Sequence, residues 1–314
     1  MTRLAGFLRD RSILVLALLL AAPVGVIAVI RPGTVTPDWL ANTLLFAAPL
    51  GLLAGGETLL LLTGGIDLSI AAVATGAAYL LSSNTAAIGT PAALLLGLAL
   101  GVLIGLLNGV GVAVFRVQPL VMTLGTGLMT EGAMVVYSQK IIGEEQRIPA
   151  AIVTLGSGKL AGVVPVDLFL WLPVAALLLL GLRRTGLGRL LYAVGDNQAA
   201  CRLAGIRVWR VLLAAYLACG LLAALAGIVL VGITNAADLS LANVYLLPAI
   251  AAAIIGGTSI FGGRGGYGGT IVGALFLTVL DSLLTLLDAP EPIKQILYGS
   301  IILLLAATYT RLTD

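Results

Sequence analysis

Apolar runs of about 20 residues recur along this chain, and each is long enough to cross the hydrocarbon core of a bilayer as a helix. Of the 314 residues, 60% are hydrophobic and only 10% are charged, whereas a soluble domain carries about 25% charged residues. The sequence therefore predicts an all-α, polytopic integral membrane protein. We expect about ten transmembrane helices in one domain that covers residues 1–314.

The residue counts exclude several chemistries. The chain has no histidine, which excludes haem ligation, His-zinc sites and histidine proton relays. Its two cysteines, Cys201 and Cys219, show neither a metal-ligand spacing nor the pattern of a disulfide framework. No GxxxxGKS/T phosphate loop occurs, so any ATP that drives this protein is expected to be hydrolysed by another subunit. We expect no catalytic residue, metal or cofactor on this chain, and its net charge of +3 does not indicate a nucleic-acid partner.

The positive charges indicate how the spans are oriented. If ten spans alternate from a cytoplasmic amino terminus, twelve Arg and Lys residues lie inside and five lie outside. This asymmetry obeys the positive-inside rule and predicts that both termini are cytoplasmic. The inner set is Arg3, Arg9, Arg11, Arg116, Arg183, Arg184, Arg189, Arg202, Arg207, Arg210, Arg264 and Arg311; the outer set is Arg31, Lys140, Arg147, Lys159 and Lys294.

Two polar loops stand out between the apolar runs. Residues 139–166 form the expected outer loop, and residues 183–210 form the largest cytoplasmic loop. Within the cytoplasmic loop, Asp196 or Asn197 can cap a short helix that continues to Ala204, and Gly205 can end it. A short capped helix suits docking to a partner protein, although composition alone favours a basic loop held at the headgroups of membrane lipid.

Two glycine pairs interrupt the apolar runs. In TGGIDLSI (63–70), the glycines favour a helix break, and the acid or serine after them can accept hydrogen bonds from the free N–H groups of the next helix. Broken helices at membrane depth are common solute sites in transporters. The candidates for a translocation path are Gly64, Gly65, Asp67, Ser69, Gly256, Gly257, Thr258 and Ser259. The alternative is that Asp67 only caps a helix and the glycines only permit close packing.

The position of the first break leaves two placements open. In one, the spans cover 39–54 and 55–82, and the second span is broken at Gly64-Gly65. In the other, Gly55-Gly56 lies inside a longer second span, and GGIDLS is the turn after it. Both placements give the same number of crossings.

Other polar residues near membrane depth have no evident partner. Glu57, Glu131 and Asp281 can each line a polar cavity or bond a neighbouring helix, and for Glu57 solvent exposure is an equal alternative. Asn108, near the turn around Arg116, is expected to make loop hydrogen bonds. Asp67, Glu131 and Asp281 keep an ion-coupled secondary transporter open as an alternative function.

Four motifs, in this order, resemble a known family: TGGIDLSI (63–70), the NG at 108–109 with FRVQPLVMTLGT (115–126), AVGDNQAACRLAGI (193–206) and AIAAAIIGGTSIFGGRGG (249–266). They are similar to the permease subunits of bacterial ABC importers for ribose, xylose and related small polar solutes. The similarity extends from about residue 40 to near the end of the chain.

The resemblance implies a multi-pass permease of the bacterial inner membrane that pairs with a second permease, either identical or a paralogue. It also implies a cytoplasmic ABC ATPase, which binds ATP with Mg, and an extracytoplasmic solute-binding protein. The solute is then a small polar molecule of the monosaccharide kind. In this family the segment that resembles 193–206 is the loop that couples the permease to its ATPase; the corresponding residues here are Asp196, Asn197, Ala199, Ala200, Arg202 and Gly205.

Overall fold

The computed structural model describes residues 12–140 and 146–313. The structure is 78% helical with almost no strand, which confirms the predicted all-α class. Arg3, Arg9 and Arg11, which contribute to the predicted orientation, lie outside the described residues. The first seven helices are α1 (Ser12–Ile30), α2 (Pro37–Leu61), α3 (Ile70–Ile88), α4 (Thr90–Ala113), α5 (Pro119–Lys140), α6 (Ala150–Ser157) and α7 (Leu168–Arg184).

Six further helices are described in the second part of the chain. They are α8 (Gly186–Asp196), α9 (Gln198–Leu203), α10 (Val208–Thr234), α11 (Leu246–Ile255), α12 (Tyr267–Leu286) and α13 (Glu291–Thr313). A short 3₁₀-helix, Asn243–Tyr245, precedes α11. The described strands are β1 (Lys159–Leu160) and β2 (Val164–Pro165), which pair antiparallel in the loop before α7.

Five of the described helices are long and apolar enough to cross a membrane: α2, α4, α5, α10 and α12. A sixth span is formed if α7 and α8, which are bent by 69° at Thr185, are counted together. Leu20–Ile30 and Asn243–Ile255 are shorter apolar helical stretches. The chain is therefore an integral membrane protein with several spans.

Helix α10 lies at the centre of the bundle and packs against α2, α3, α4 and α6. On the other side of α2, helix α12 packs against α1, α2 and α11, and α13 packs against α11. Helix α2 therefore joins the two groups, and 89% of its most apolar window is buried. Helix α5 is the least buried of the five long spans, at 28%, because it contacts only α3 and α4 closely.

Glycines allow α4 and α10 to pack closely. Gly101, Gly105 and Gly109 recur at every fourth residue and therefore lie on one face of α4. A Cβ at Gly105 would lie 2.6 Å from the carbonyl oxygen of Tyr216, and one at Gly101 would lie 2.3 Å from that of Gly220. Without a hydrophobic driving force in lipid, such backbone approach is what holds membrane helices together.

The structure decides between the two placements of the first break. Helix α2 continues without interruption through Gly55 and Gly56 to Leu61, so the placement with spans 39–54 and 55–82 is wrong. Gly56 packs on Cys219 of α10, which requires a residue without a side chain. The segment with Gly64 and Gly65 is instead the turn that joins two separate helices.

Contacts with α10 show that the chain reverses direction at this turn. Gly56 packs on Cys219, and Gly65 lies beside Tyr216, nearer the amino end of α10. Ala74 of α3 then packs on Gly227, nearer the carboxyl end. The chain thus approaches one end of α10 along α2 and returns along α3.

Candidate functional site

The GGIDLS turn is held by the side chain of Asp67. Its Oδ1 accepts hydrogen bonds from the Ser69 backbone N–H at 2.8 Å and the Ser69 hydroxyl at 2.5 Å. An Asp side chain that bonds the backbone two residues on forms an Asx turn, which offers the chain an alternative to helix. Gly64 has a φ of +76°, in the left-handed region that glycine adopts without strain. The left-handed conformation of Gly64 and the hydrogen bonds between Asp67 and Ser69 thus separate α2 from α3.

Asn108 connects this turn to two further helices. Its Nδ2 donates to Asp67 Oδ2 at 3.2 Å and to Ser69 Oγ at 3.0 Å, while its Oδ1 accepts from Thr126 at 2.6 Å. Asn108 is fully buried inside α4. The expectation that it makes loop hydrogen bonds is therefore wrong, because α4 continues for five residues beyond it to Ala113.

Glu57 belongs to the same buried cluster. Its carboxylate Oε2 lies 3.5 Å from the Asp67 backbone nitrogen, and its Oε1 has no hydrogen-bond partner among the described residues. The side chain is fully buried in α2, so the alternative of solvent exposure is wrong. Neither Glu57 nor Asp67 forms an ion pair with a described residue.

The second glycine segment forms a compact turn between α11 and α12. Gly257 has a φ of +88°, and the Ser259 N–H donates to the Arg264 carbonyl oxygen at 3.0 Å. Gly256 fits directly against the backbone of Gly269 at the start of α12. Thr258 is buried, and its hydroxyl has no partner among the described residues. The segment is therefore a loop in which Thr258 and Ser259 are buried, while Gly257 and Phe261 are exposed.

The structure brings the two glycine segments together. A Cβ built on Gly64 would lie 3.6 Å from the Phe261 carbonyl oxygen, and the Gly263 N–H donates to the Leu62 carbonyl oxygen at 3.0 Å. The predicted candidates thus form two neighbouring turns: Gly64, Gly65, Asp67 and Ser69 in one, and Gly256, Gly257, Thr258 and Ser259 in the other.

Gly195, near the end of α8, lies against both turns, although the sequence did not single it out within the 193–206 motif. A Cβ on this residue would lie 1.8 Å from the Leu62 carbonyl oxygen and 2.5 Å from the Gly263 nitrogen. We call Gly195, Leu62 and Gly263 the backbone junction. The sequence signal was the glycine in AVGDNQ, but its partners are far away along the chain and are brought close only by the fold.

A cavity of about 480 Å³ opens beside this junction, where α4, α5, α9 and α10 meet. Gly64 and Gly65 line it together with Tyr216, whose buried hydroxyl has no partner among the described residues. Its charged lining residues are all cationic: Arg116, Arg202 and Arg207. The first glycine turn thus borders the same cavity as the short helix α9.

Helix α9 has the termini that the sequence predicts. Asn197, rather than Asp196, is the cap, because its Oδ1 accepts from the Ala200 N–H at 2.9 Å. Gly205 follows the helix with a φ of +80°. Ala199 and Ala200 are exposed, and Arg202 donates to Gln198 at 3.0 Å on the same helix.

Leu203 is the residue of α9 that the sequence analysis missed. Its side chain is 91% exposed at the end of the helix, which is unusual for a large apolar residue. Its exposure could not be predicted, because it depends on which face of a short helix packs on the bundle.

The two other intramembrane acids lie outside these turns. Asp281, on α12, forms an ion pair with Lys294 of α13 at 2.8 Å, a partner that the sequence does not reveal. Glu131 is exposed on α5. Among the described residues, no side chain of α12 or α5 forms a hydrogen bond with Asp67.

Comparison with known proteins agrees with this architecture. Residues 39–306 match the family model of the branched-chain amino acid transport system permease component. The chain is 36% identical over 304 residues to the ribose import permease protein RbsC of Escherichia coli K12, covering 96% of this chain and 93% of that protein. No solved structure matches the chain.

Two further relatives are named as permeases for other sugars. The chain is 33% identical to the fructose import permease protein FrcC of Rhizobium meliloti, covering 83% of this chain and 74% of that protein. It is 35% identical to the galactofuranose transporter permease protein YtfT of Escherichia coli K12, covering 82% and 75%. The resemblance seen in the four motifs is confirmed, and the ion-coupled alternative is not favoured. The chain therefore belongs to the family of branched-chain amino acid transport system permease components, and it is the permease subunit of an ABC importer rather than an enzyme.

Proposed function

We propose that this permease moves a monosaccharide across the bacterial inner membrane. Support comes from the names of the relatives, which transport ribose, fructose and galactofuranose. We further propose that it works with a second permease, an ABC ATPase that binds ATP with Mg, and an extracytoplasmic solute-binding protein. The family supports the ATPase and the binding protein in general terms.

We infer ten crossings in one domain of residues 1–314, with both termini in the cytoplasm. The reversal at the GGIDLS turn supports alternation, as does the contact of the outer loop with the far end of α3, where the Arg147 N–H donates to the Ser82 carbonyl oxygen at 3.0 Å. Arg116, Arg202 and Arg207 gather around one cavity at the opposite end. Basic residues concentrate on the cytoplasmic side of membrane proteins, so this end is the inner one.

The coupling role of α9 is the core of the proposal, and the exposed Leu203 is the observation that carries it. An exposed large apolar side chain on a short capped helix fits a groove in a partner protein better than it fits water. Ala199 and Ala200 keep the adjacent surface small, and Arg202 supplies a positive charge for an acidic ATPase surface. Asp196, Asn197 and Gly205 hold the helix ends.

Movement of α9 would reach the translocation path through the backbone junction. Asn197 follows Gly195 by two residues, and Gly195 is packed between Leu62 and Gly263 without room for a side chain. A shift of the coupling segment must therefore displace one or both glycine turns. We propose that the two turns form the inner gate of the path, and that Gly64 and Gly65 border its cytoplasmic exit.

Docking at Leu203 is tested by co-purification of the ATPase from membranes. We expect Leu203→Asp and Ala200→Glu to accumulate normally but to lose most of the bound ATPase and of the sugar uptake. Leu160→Asp is the matched control, since it makes the same change at an exposed leucine of the outer hairpin. Full retention of the ATPase by Leu203→Asp, with loss in Arg184→Gln or Arg189→Gln, would instead support a loop that contacts lipid.

A further inference from the structure

Two adjoining cavities lie near the carboxyl end of α12, at the opposite end of that helix from the glycine turns. One has a volume of about 210 Å³ and the other about 460 Å³. Phe46, Thr278 and Asp281 line both of them. Because α12 starts at the inner turn and crosses the bundle, these cavities are on the outer side of the proposed topology.

The polar groups of the smaller cavity are arranged around Asp281. Its Oδ1 accepts from Lys294 Nζ at 2.8 Å and from the Tyr298 hydroxyl at 3.2 Å. Lys294 also donates to Thr285 at 2.8 Å. The other carboxylate oxygen, Oδ2, accepts no hydrogen bond from the described residues, and the Asp281 side chain is 50% exposed. One acceptor atom of Asp281 is thus available, and its charge is balanced by Lys294, while Glu291, which is exposed, is a second carboxylate of the lining.

These charges favour a neutral ligand over an ion at Asp281. Two carboxylates and one ammonium line the cavity, so an anion would be repelled, and a cation at Asp281 would have to displace Lys294. A neutral molecule that carries hydroxyl groups can donate to Asp281 Oδ2 and accept from Lys294 without breaking the ion pair. Hydrogen-bond groups of both kinds within one small cavity are typical of sites that fix the orientation of a polar ligand.

Aromatic rings supply the apolar part of the same cavity. Phe46, Tyr245 and Tyr298 line it, although only 5% of the chain is aromatic. Flat apolar rings pack well on the C–H face of a sugar ring, and tyrosine adds a polar edge. A volume of about 210 Å³ is below the roughly 300–1,000 Å³ of pockets for drug-sized ligands, so the cavity suits one small molecule.

We propose that this outer cavity is a binding site for a single neutral monosaccharide on its way into the permease. Asp281 accepts from the sugar hydroxyls, Lys294 donates to them, and the rings of Phe46 and Tyr245 contact the sugar face. The inference rests on the proposed function, since it takes the solute to be a monosaccharide. The competing explanation is that the ion pair only ties α12 to α13.

Protection of an introduced cysteine from labelling can distinguish ligand binding from an ion pair that only holds α12 and α13 together. Thr278→Cys puts a thiol on the wall shared by both cavities without removing Asp281 or Lys294. The natural thiols, Cys201 and Cys219, are both buried and give a low background. The experiment uses the purified permease–ATPase complex and whichever of D-ribose, D-fructose and D-galactose the wild type transports best. At saturation, we expect this sugar to slow maleimide labelling at position 278 about tenfold, which corresponds to about 1.4 kcal/mol. Asp281→Asn in the same background should remove this protection.

A second variant tests the cavity in transport. Thr278→Met fills the shared wall and leaves the ion pair intact, so we expect sugar uptake by the reconstituted importer to fall about tenfold. Asp38→Asn is the control, because Asp38 forms the other described ion pair, with Lys159 at 3.9 Å, and lines neither cavity. Uptake near the wild-type rate in Thr278→Met, together with no protection at position 278, would overturn the site.

These results distinguish the site from the function on which it rests. If the wild type transports none of the three sugars, the proposed monosaccharide function fails. If the wild type transports a sugar but that sugar does not protect position 278, only the outer site fails. A loss of thermal stability in Asp281→Asn with unchanged protection would identify the ion pair as a structural tie.

Discussion

At the scale of single residues, the same short motif has different consequences in two environments. Asp67-Leu68-Ser69 and Asp238-Leu239-Ser240 form equivalent turns, in which an Asp Oδ1 accepts from the backbone and the hydroxyl of the serine. The turn at Asp238 is exposed, and the two Ser240 donors hold the pKa of the Asp238 carboxyl below its usual value. Asp67 is only 1% exposed and Ser69 is buried, so no water can replace the carboxylate as acceptor for the Ser69 donors.

Removing the buried acceptor should therefore cost stability. We expect Asp67→Ala to lower the free energy of unfolding by about 1–3 kcal/mol, because the Ser69 N–H, the Ser69 hydroxyl and Asn108 lose their acceptor. Asp67→Asn should cost less, since its amide oxygen can still accept from the Ser69 N–H. The check is thermal unfolding of the purified permease in detergent, with Asp238→Ala as the exposed control. Equal melting temperatures for Asp67→Ala and Asp238→Ala would contradict this prediction.

At the scale of elements, backbone proximity between α4 and α10 holds the centre of the bundle. The contact depends on glycines at 101, 105 and 109 of α4 and at 220 of α10. On α5, Gly125 has no neighbour within 4 Å, so not every glycine has this role. The difference can be tested with the same substitution on two membrane helices.

We expect Gly105→Val to destabilise the permease by about 1–3 kcal/mol, the usual cost of overpacking. The new Cβ would lie 2.6 Å from the backbone of α10, which cannot move aside as a flexible side chain can. Gly125→Val should have little effect on the melting temperature of the purified subunit, since its site is open. If the two variants lose the same stability, helix propensity rather than packing explains the loss.

At the scale of the whole molecule, the cationic cavity and the polar outer cavities lie at opposite ends of one bundle. The glycine turns and the backbone junction lie next to the cationic end, within reach of α9. The charge-balanced pair of Asp281 and Lys294 lies near the other end of α12. This polarity fits a carrier that receives its solute on one side and responds to an ATPase on the other.

The orientation of this polarity can be measured in intact cells. We expect an impermeant maleimide to label Lys159→Cys, in the outer hairpin, and to spare Gln198→Cys, on α9, until the membrane is opened. The reason is that the arginines of the 183–210 loop resist translocation across the bilayer. Labelling of Gln198→Cys alone in intact cells would invert the topology and place the coupling helix outside.

Properties that depend on neighbouring residues along the chain were predictable from the sequence. Hydropathy predicted several membrane helices, the glycines at 64–65 and 256–257 predicted turns, and Asp196 or Asn197 with Gly205 predicted the ends of α9. These effects act within one or two helical turns, so the sequence contains the information that they need. The order of four motifs was sufficient for the family, which the comparisons confirm.

Only the tertiary structure decided which distant residues meet. Asn108 bonds Asp67 from 41 positions away, and Gly195 packs on Leu62, because α4, α8 and α2 are neighbours in the bundle. The partner of Asp281 and the exposure of Leu203 depend in the same way on which helix faces which. Apolar periodicity indicates that a helix is buried. In a chain whose helices are apolar on nearly every face, however, it does not indicate which helix packs against which face.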